Sequence, residues 1–341
     1  MAISDRFISN RPVTKGFQLK GLDVRLSKHI HFFYYKKMTS VITPGAFDIV
    51  HAWEEPYVYA GFQVARAATR AGSRYMFRTA QSIPKAYPPP FRQFENYCAS
   101  HASGWIAGGS LVHNALRNGR PNYPALSEVI TLAVEENDFR PDEADRIALR
   151  RQLKLEGPVI GFIGRLTAAK GLDVLMQALE LVPAPWTLLA LGSGEYESKL
   201  KEWAVAKGLG DRVRVMIVKH EEMPRYLRAM DMLVAPSQTT PRWKEQFGRM
   251  LIEGFATAIP VIGSTSGEIP FVIADAGLVV DESDAKGWSE AIQTLLNSPA
   301  KCKELGQAGL ERFHANYTAA RVADRYISFY GRLMDVPKGA S

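Results

Sequence analysis

The sequence predicts an α/β protein of two doubly wound domains, each built around a parallel sheet. Its 341 residues are too many for one ordinary core and suit two such domains. The middle and C-terminal parts alternate short apolar runs with amphipathic segments, which is typical of repeated βα units. Hydrophobic and charged contents of 46% and 23% indicate a soluble globular protein.

The C-terminal part, which we place at residues 154–317, has the more regular pattern. Its predicted strands are Val159–Ile163, Thr187–Leu191, Val213–Ile217, Met232–Ala235, Val261–Ile262 and Gly277–Val280. The predicted helices between them are Gly171–Leu181, Glu195–Lys207, Met223–Ala229, Gly248–Ala256 and Ala285–Asn297. Six strands with interleaved helices predict one complete Rossmann-like domain.

The N-terminal part, residues 1–153, alternates less regularly. Its predicted strands are Phe47–His51, Ser73–Phe77, Gly104–Ala107 and Val129–Leu132, and its predicted helices are Tyr57–Ala71 and Glu143–Leu153. Within residues 318–341, an apolar stripe at helical spacing runs along Ala319–Met334. We expect this last helix to pack back toward the N-terminal domain.

Several protein classes lack support in the sequence. Cys98 and Cys302 lie far apart and form no CxxC unit, so neither a disulfide framework nor a zinc site is encoded. No stretch reaches the roughly 18 apolar residues of a membrane span, and the N-terminus lacks the apolar run of a signal peptide. We therefore expect a cytoplasmic protein.

Positive charge is concentrated in the N-terminal part. Residues 1–125 contain 16 Lys or Arg against 6 Asp or Glu, a balance of +10, whereas the whole chain carries +7. This balance predicts an anionic partner such as a membrane surface, a lipid phosphate or a nucleic acid; ordinary surface solvation is the alternative. Because no nucleic-acid-binding signature occurs, we expect no nucleic acid, and we expect any peripheral association to be with the inner membrane face.

Two motifs in the C-terminal part carry candidate chemistry. After the first strand, Arg165 and Lys170 lie on a glycine-containing loop before a helix. Two cations five residues apart can straddle a diphosphate, although surface solvation also explains them. The second motif runs from Glu245 to Glu253 and opens a helix near Gly248. The unpaired N–H groups of that helix start favour an anion or a sugar oxygen, whereas an ordinary helix with two acidic residues is the alternative.

Taken together, these motifs resemble those of a known enzyme family. The order Rx4K, GSGEYESKL, Ex7E and AIPVIGSTSGEIP resembles the retaining glycosyltransferase family 4 (group 1 glycosyltransferases) of the GT-B superfamily. The resemblance is close over residues 157–317 and looser before them. It implies the GT-B fold, in which two Rossmann-like domains face a cleft. It also implies that this N-terminal domain lacks its first βα unit, because relatives open with a strand and a glycine-containing loop.

The resemblance also implies roles for individual residues. Arg165 and Lys170 would neutralise the diphosphate as it leaves, Glu245 would contact the donor sugar, and these three form the implied catalytic set. Glu253 would hold the ribose hydroxyls. The implied donor-binding set is Gly164, Arg165, Lys170, Phe247, Gly248, Arg249, Met250, Leu251 and Glu253. The family needs no metal and no cofactor beyond the nucleotide sugar, so none is expected.

On the acceptor side, the sequence departs from the family. Many relatives have a histidine past a strand of the N-terminal domain, where this chain has Gln81. Glutamine can bind a sugar hydroxyl but cannot exchange a proton near pH 7, and a loop amide bound to backbone is the alternative. Glu54 follows a strand and is a second acceptor-side candidate, with stabilisation of a helix N-terminus as its alternative.

Several functions remain open at this level. The first is transfer of a hexose-type sugar from a UDP- or GDP-sugar to a glycan, lipid-linked or small-molecule hydroxyl. The second is a catalytically impaired donor-binding module or partner subunit. A nicotinamide-dependent oxidoreductase is disfavoured, because no GxGxxG is followed by an acid at the required distance. A non-transferring epimerase of the same fold is the last alternative.

Overall fold

Two parallel sheets and one short hairpin organise this chain. The computed structural model describes residues 16, 18, 20–83, 85–120, 122–183 and 185–336. The chain divides into an N-terminal unit, Met1–Ile130 with Arg325–Ser341, and a C-terminal unit, Thr131–Asp324. The first fifteen residues, which include part of the basic N-terminal stretch, lie outside the described residues.

The N-terminal unit contains the hairpin and a four-stranded sheet. In the hairpin, β1 (Val24–Arg25) pairs with β2 (Tyr34–Tyr35) in antiparallel register. The parallel sheet has the order β3-β4-β5-β6. Its strands are β3 (Ile49–Ala52), β4 (Arg74–Thr79), β5 (Ala102–Ala107) and β6 (Ser127–Val129). Three of the four predicted strands are confirmed, with ends that shift by one or two residues, whereas the predicted strand Val129–Leu132 shares only Val129 with β6.

Three helices cover this sheet: α1 (Tyr59–Arg70), α2 (Phe91–His101) and α3 (Ser110–Gly119). The predicted α1 is confirmed, whereas α2 and α3 are additions to the prediction. The apolar stripe of α2 is interrupted by Glu95, which is buried because Arg120 and Tyr123 both donate to its carboxylate at 2.9 Å. A buried acid of this kind hides a helix from periodicity, since its partners come from elsewhere in the chain.

Strand β3 lies at the edge of the sheet among the described residues. A sheet that lacks its first strand would leave apolar side chains of β3, such as Ile49 and Val50, without neighbours, but Val50 has them. Val50 is buried in one apolar cluster with Tyr35, Met38 and Ile42, so the segment after the hairpin packs beside the strand. A cavity of about 320 Å3 remains along β3. Whether the gene encodes an upstream βα unit stays a prediction.

The C-terminal unit is built on a six-stranded parallel sheet. Its strands are β7 (Val159–Ile163), β8 (Thr187–Leu191), β9 (Val213–Met216), β10 (Met232–Ala235), β11 (Val261–Ser264) and β12 (Leu278–Val280). The helices are α4 (Glu143–Gln152), α5 (Leu172–Glu180), α6 (Glu197–Ala206), α7 (Met223–Arg228), α8 (Arg249–Ala256), α9 (Ile269–Ile273), α10 (Ala285–Asn297) and α11 (Pro299–Asn316). All six predicted strands and all five predicted helices of this part are confirmed.

The order of the strands places β7 at the centre of the sheet. From edge to edge the strands run β12-β11-β10-β7-β8-β9, which is the order 3-2-1-4-5-6 of a doubly wound dinucleotide-binding fold. Every residue of β7, β8 and β10 is buried, because apolar helices cover both faces of a parallel sheet. The order of the strands reverses between β7 and β10, which makes this the topological switch point of the sheet. Ligands bind beyond the carboxyl ends of the strands at such a point.

The boundary between the two units differs from the one we drew from the sequence. The chain crosses at Ile130–Thr131 instead of after residue 153, because α4 is tied to the C-terminal unit. On α4, Arg146 and Arg150 both form ion pairs with Asp231, at 2.5 and 3.0 Å. These contacts connect residues about eighty positions apart in the sequence, which no local pattern reveals.

The last two helices show a similar division between local and distant information. α11 was not predicted: its Gly309 packs against Phe255 of α8, where an added Cβ would lie 2.6 Å from the ring. α12 (Ala319–Asp335) confirms the predicted helix. From Arg325 onward its residues belong to the N-terminal unit, and Arg325 donates to Glu128 at 3.1 Å.

Candidate functional site

The candidate site lies where the chain leaves β7 and β10, at the switch point of the C-terminal sheet. The loop after β7 begins with Gly164, whose N–H donates to Leu191 O at 3.0 Å, and continues to Leu166, whose N–H donates to Ser193 O at 2.9 Å. These bonds hold the loop against the end of β8. A short 3-10 turn, Ala168–Lys170, follows and leads into α5. The hydrogen bonds of the loop and the 3-10 turn thus fix the backbone position of Lys170.

Gly171 explains how this loop reaches the end of β10. Its φ of 74° lies in the left-handed region, and a Cβ at this position would lie 1.7 Å from Pro236 O. Only glycine allows the two backbones to come so close. The approach brings Lys170 next to the segment that follows β10.

Lys170 and Glu245 form the central contact of the site. Lys170 Nζ lies 2.5 Å from Glu245 Oε2, and the hydroxyl of Ser237 donates to the same oxygen at 2.8 Å. Glu245 is buried and Lys170 is half-buried, so little water screens the pair. Because removal of either partner would leave a buried charge unpaired, the sequence prediction that both residues belong to one site is supported by their geometry.

The backbone of Glu245 is held from the other side by the loop after β11. Glu268 N donates to Glu245 O at 3.0 Å, and Glu245 N donates to Ser266 Oγ at 3.4 Å. Gly267, with φ 57°, makes this approach possible, since a Cβ there would lie 2.0 Å from Glu245 O. Hydrogen bonds at its N–H and at its carbonyl therefore fix the backbone that carries the Glu245 carboxylate, as a preorganised site requires.

Arg165 behaves differently from Lys170. Its side chain is exposed, and within the described ranges it forms neither an ion pair nor a hydrogen bond. A guanidinium carries five N–H donors in a planar fork, which suits a phosphate or a carboxylate. Of the two predicted cations, one is thus paired inside the protein and the other is left open to an anion.

The start of α8 presents backbone groups. Gly248 precedes the helix with φ 79° and no side chain caps its N–H groups. The side chains of Phe247, Met250 and Leu251 are buried in the apolar core, so these predicted donor-binding residues have only their backbone for a ligand. An uncapped helix start carries partial positive charge and attracts anions.

Glu253 lies one turn into α8 and is 5% exposed. Burial raises the pKa of its carboxyl to about 7, although Arg249, with Nε 2.9 Å away, acts in the opposite direction. Arg249 itself is exposed. A buried carboxylate gains from O–H donors, because hydrogen bonds offset the cost of its desolvation. The position suits two vicinal hydroxyls, as the sequence predicted for a ribose.

Trp243 is a residue of this site that the sequence analysis missed. Its ring lies over Lys170, with Nζ 5.1 Å from the ring centroid. A tight turn holds it, since Trp243 N donates to Thr240 Oγ1 at 2.9 Å and Trp243 O accepts from Thr240 N at 2.7 Å. The signal in the sequence is a single aromatic residue in the polar run before Glu245. This signal is weak without knowledge of how the loop folds.

The acceptor-side candidates belong to the N-terminal unit. Glu54 accepts a hydrogen bond from the Tyr35 hydroxyl. Gln81 is buried, and its Nε2 donates to Ile83 O at 3.2 Å while its Oε1 has no hydrogen-bond partner among the described residues. Glu55, which follows Glu54 in the same acidic pair after β3, accepts from Thr79 Oγ1 at 2.6 Å and from Ala80 N at 2.9 Å. Burial raises the pKa of Glu55, and its contacts connect the ends of β3 and β4.

Two kinds of feature are absent from the described residues. No group of three or more His, Cys, Asp or Glu side chains in the described ranges is arranged to hold a metal ion. No described helix is both long and apolar enough to cross a bilayer.

Comparison with known proteins finds similarity to one family over slightly less than half of the chain. Residues 145–312 match the family model of the glycosyl transferases group 1. A D-inositol 3-phosphate glycosyltransferase of Mycobacteroides abscessus is 31% identical over 218 residues, which cover 61% of this chain and 47% of that protein. The lipopolysaccharide core biosynthesis mannosyltransferase LpsB of Rhizobium meliloti is 26% identical over 220 residues, covering 60% of this chain and 61% of LpsB. The chain spans about half the length of the curated relatives it matches first.

Solved structures show the same fold. Anabaena Alr3699/HepE, determined with UDP and glucose, aligns with a TM-score of 0.72 and 20% identity over 84% of this chain and 78% of that one. A glycosyltransferase from Rickettsia africae aligns with a TM-score of 0.73 and 18% identity over 85% and 78%. The predicted α/β GT-B fold with parallel sheets is therefore confirmed.

Proposed function

We propose that this chain, whose residues 145–312 match the group 1 glycosyl transferases, is a retaining glycosyltransferase of family 4. It would move a hexose-type sugar from a nucleotide-diphosphate sugar to an acceptor hydroxyl. The observation that carries the proposal is the buried Lys170–Glu245 ion pair at the switch point of a doubly wound sheet, with the open cation Arg165 on the same loop.

The two cations suit a leaving diphosphate. When the bond between the sugar and the diphosphate breaks, negative charge grows on the phosphate oxygen. Arg165, which has no partner among the described residues, offers its fork to that charge, and Lys170 adds a second positive charge held in place by Glu245. Charges positioned before the reaction stabilise the transition state without reorganisation. We propose on this basis that neither a metal ion nor another cofactor is needed.

The two carboxylates would bind different parts of the donor. Glu253 would accept hydrogen bonds from the ribose hydroxyls, and Glu245 would contact the sugar ring while it orients Lys170. The backbone from Phe247 to Leu251, with Gly164 opposite, would bind the remaining donor oxygens. The acceptor oxygen then attacks from the side that the diphosphate leaves, so that the anomeric configuration is retained and the acceptor proton passes to the departing phosphate.

The substrates are proposed from the names of similar proteins. Anabaena HepE was determined with UDP and with UDP-glucose, so we propose a UDP-sugar as donor, with a GDP-sugar as the alternative. The relatives are named for D-inositol 3-phosphate and for lipopolysaccharide core biosynthesis, and a glycan, lipid-linked or small-molecule acceptor is proposed here. Glu54 and Gln81 remain the acceptor-side candidates. We also propose a cytoplasmic location and an anionic membrane surface as a further partner. We propose no nucleic-acid partner.

The test of donor binding uses the full chain and a panel of nucleotide sugars. A donor that binds the folded state raises its melting temperature, so UDP-, GDP- and ADP-sugars are compared by thermal shift. Arg165→Gln should weaken the response without lowering the stability of the free protein, because its side chain pairs with no described residue. Arg151→Gln removes an exposed arginine of the same unit, on α4, and serves as the matched control. If no nucleotide sugar stabilises the protein, the proposal is wrong.

One observation favours a catalytically impaired donor-binding module as the second candidate. The N-terminal sheet has β3 at its edge among the described residues, beside an open cavity, whereas the C-terminal sheet is complete. Product analysis separates the two candidates: an active enzyme releases nucleoside diphosphate and forms an α- or β-glycoside with the configuration of the donor. Stabilisation by a donor without any product on a broad acceptor panel would favour the binding module.

A further inference from the structure

The two-stranded hairpin of the N-terminal unit has an exposed connection between its strands. β1 and β2 pair through Val24 with Tyr35 and Arg25 with Tyr34. The eight residues from Arg25 to Phe32 are all exposed. We call residues 24–37, which comprise both strands and their connection, the docking hairpin.

Its tip presents large apolar side chains to solvent. Leu26 is 53% exposed, Ile30 71% and Phe32 42%. Three such residues within seven positions form a local apolar surface, whereas isolated apolar residues are normal on a protein.

The same hairpin carries only positive formal charge. Arg25, Lys28, Lys36 and Lys37 lie in it, and no acidic residue occurs between Asp23 and Asp48. Asp23 is 3.8 Å from Lys36, but its side chain is 82% exposed and screens little. The cations therefore lie on β1, in the connection and directly after β2, so that they flank the apolar tip on both sides in sequence.

The hairpin is anchored to the helices of the unit. Phe32 and His31 pack on Phe91, with ring centroids 5.0 and 5.4 Å apart. Tyr59 N donates to His31 O at 3.0 Å, which fixes the connection at the start of α1. Leu26 and Ile30 therefore lie exposed on a loop that these contacts hold in place.

We propose that the docking hairpin binds the surface of an anionic lipid bilayer, with Leu26 and Ile30 inserted among the lipids and the cations at the headgroups. Lys and Arg close to such a surface are attracted by its negative potential, and apolar side chains gain from burial at the interface. A nucleic acid would be recognised by aromatic stacking, whereas the two most exposed apolar residues of the tip, Leu26 and Ile30, are aliphatic, and the ring of Phe32 packs on Phe91. The proposal rests on the anionic membrane partner proposed above and is independent of sugar transfer.

The experiment measures binding of the full chain to phosphatidylcholine vesicles with and without phosphatidylglycerol. We expect stronger binding to the anionic vesicles and a loss of this difference as salt rises. Lys28→Gln should weaken binding to them about fivefold, which corresponds to about 1 kcal/mol for one charge near the surface. Ile30→Ser should weaken it about tenfold, also at high salt, because insertion does not depend on charge.

Two control variants test whether the hairpin itself is responsible. Arg66→Gln removes an exposed cation from α1 of the same unit, and Val205→Ser removes an apolar side chain that is 75% exposed on α6. Both should leave vesicle binding unchanged. Equal binding to both vesicle types, or equal losses in the hairpin and control variants, would overturn the proposal. So would hairpin variants that retain vesicle binding but lose affinity for an oligonucleotide or a protein.

A donor arm separates this proposal from the proposed function. The same protein samples are heated with and without UDP-glucose. If the donor stabilises all variants but anionic vesicles do not bind, only the docking hairpin proposal fails. If the vesicles bind through the hairpin but no nucleotide sugar stabilises the protein, the docking proposal stands and the transferase proposal fails.

Discussion

Replacement of Glu253 by Gln should change how the stability of the protein depends on pH. Burial raises the pKa of this carboxyl from 4.5 to about 7 in the folded protein. The folded pKa is above the unfolded one, so between these values the folded chain binds more protons than the unfolded chain. The contribution of Glu253 to stability is therefore most favourable below pH 4.5 and is lost as pH rises to 7.

The size of the effect follows from the shift. Since one pKa unit corresponds to 1.36 kcal/mol, Glu253 costs the fully ionised protein about 3 kcal/mol. Between pH 5 and pH 8 the free energy of unfolding should fall by about 2–3 kcal/mol through this residue alone. Glutamine has nearly the same shape and stays neutral, so Glu253→Gln should become more stable relative to the wild type by about that amount over this range.

The assay is urea unfolding of both proteins at pH 5, 6, 7 and 8. The difference between the two removes the contributions of all other titrating groups, including those of the N-terminal unit. Glu202→Gln, which changes an exposed acid on α6, should show no such trend. If the stability difference between the Glu253 variant and the wild type is the same at all four pH values, the carboxyl is not held in a desolvated state and the reasoning is refuted.

Three further predictions concern the donor. Lys170→Ala should weaken binding of a nucleoside diphosphate by about 1.5–3 kcal/mol, the range for a charge-assisted hydrogen bond; unchanged affinity for both UDP and GDP in calorimetry would exclude its role. Donor affinity should rise by up to about tenfold from pH 6 to pH 8, because the ribose hydroxyls donate to the ionised carboxylate of Glu253. Glu253→Gln should abolish this dependence of affinity on pH. Donor binding and turnover should persist in excess EDTA, whereas a strict need for Mg²⁺ or Mn²⁺ would contradict the metal-free proposal.

The sequence predicted all six strands of the C-terminal unit, although it missed α11. Its strands are short apolar runs bounded by turn residues, and strands buried on both faces show this pattern locally. The family resemblance rested on motifs in the same unit, and the family model matches residues 145–312. The sequence placed Lys170 and Glu245 in separate motifs of one site, and the structure adds their ion pair, since loops at the carboxyl ends of neighbouring strands meet.

Other features were set by contacts that no local pattern encodes. α2 was missed because its buried Glu95 is satisfied by Arg120 and Tyr123, and α4 belongs to the C-terminal unit because Arg146 and Arg150 reach Asp231. Trp243 joined the site only when the turn at Thr240 placed its ring over Lys170.

The sequence by itself determined the order of the βα units, the two cations and two carboxylates of the donor motifs, and the excess of positive charge in the N-terminal half. The tertiary structure decided which charge is free: Lys170 is neutralised by Glu245, whereas Arg165 is open. It also decided that Glu253 is desolvated and that apolar side chains between the cations of residues 24–37 are exposed. The physical reason is that residue type fixes charge and hydrophobicity, but burial and pairing depend on neighbours that are distant in the chain.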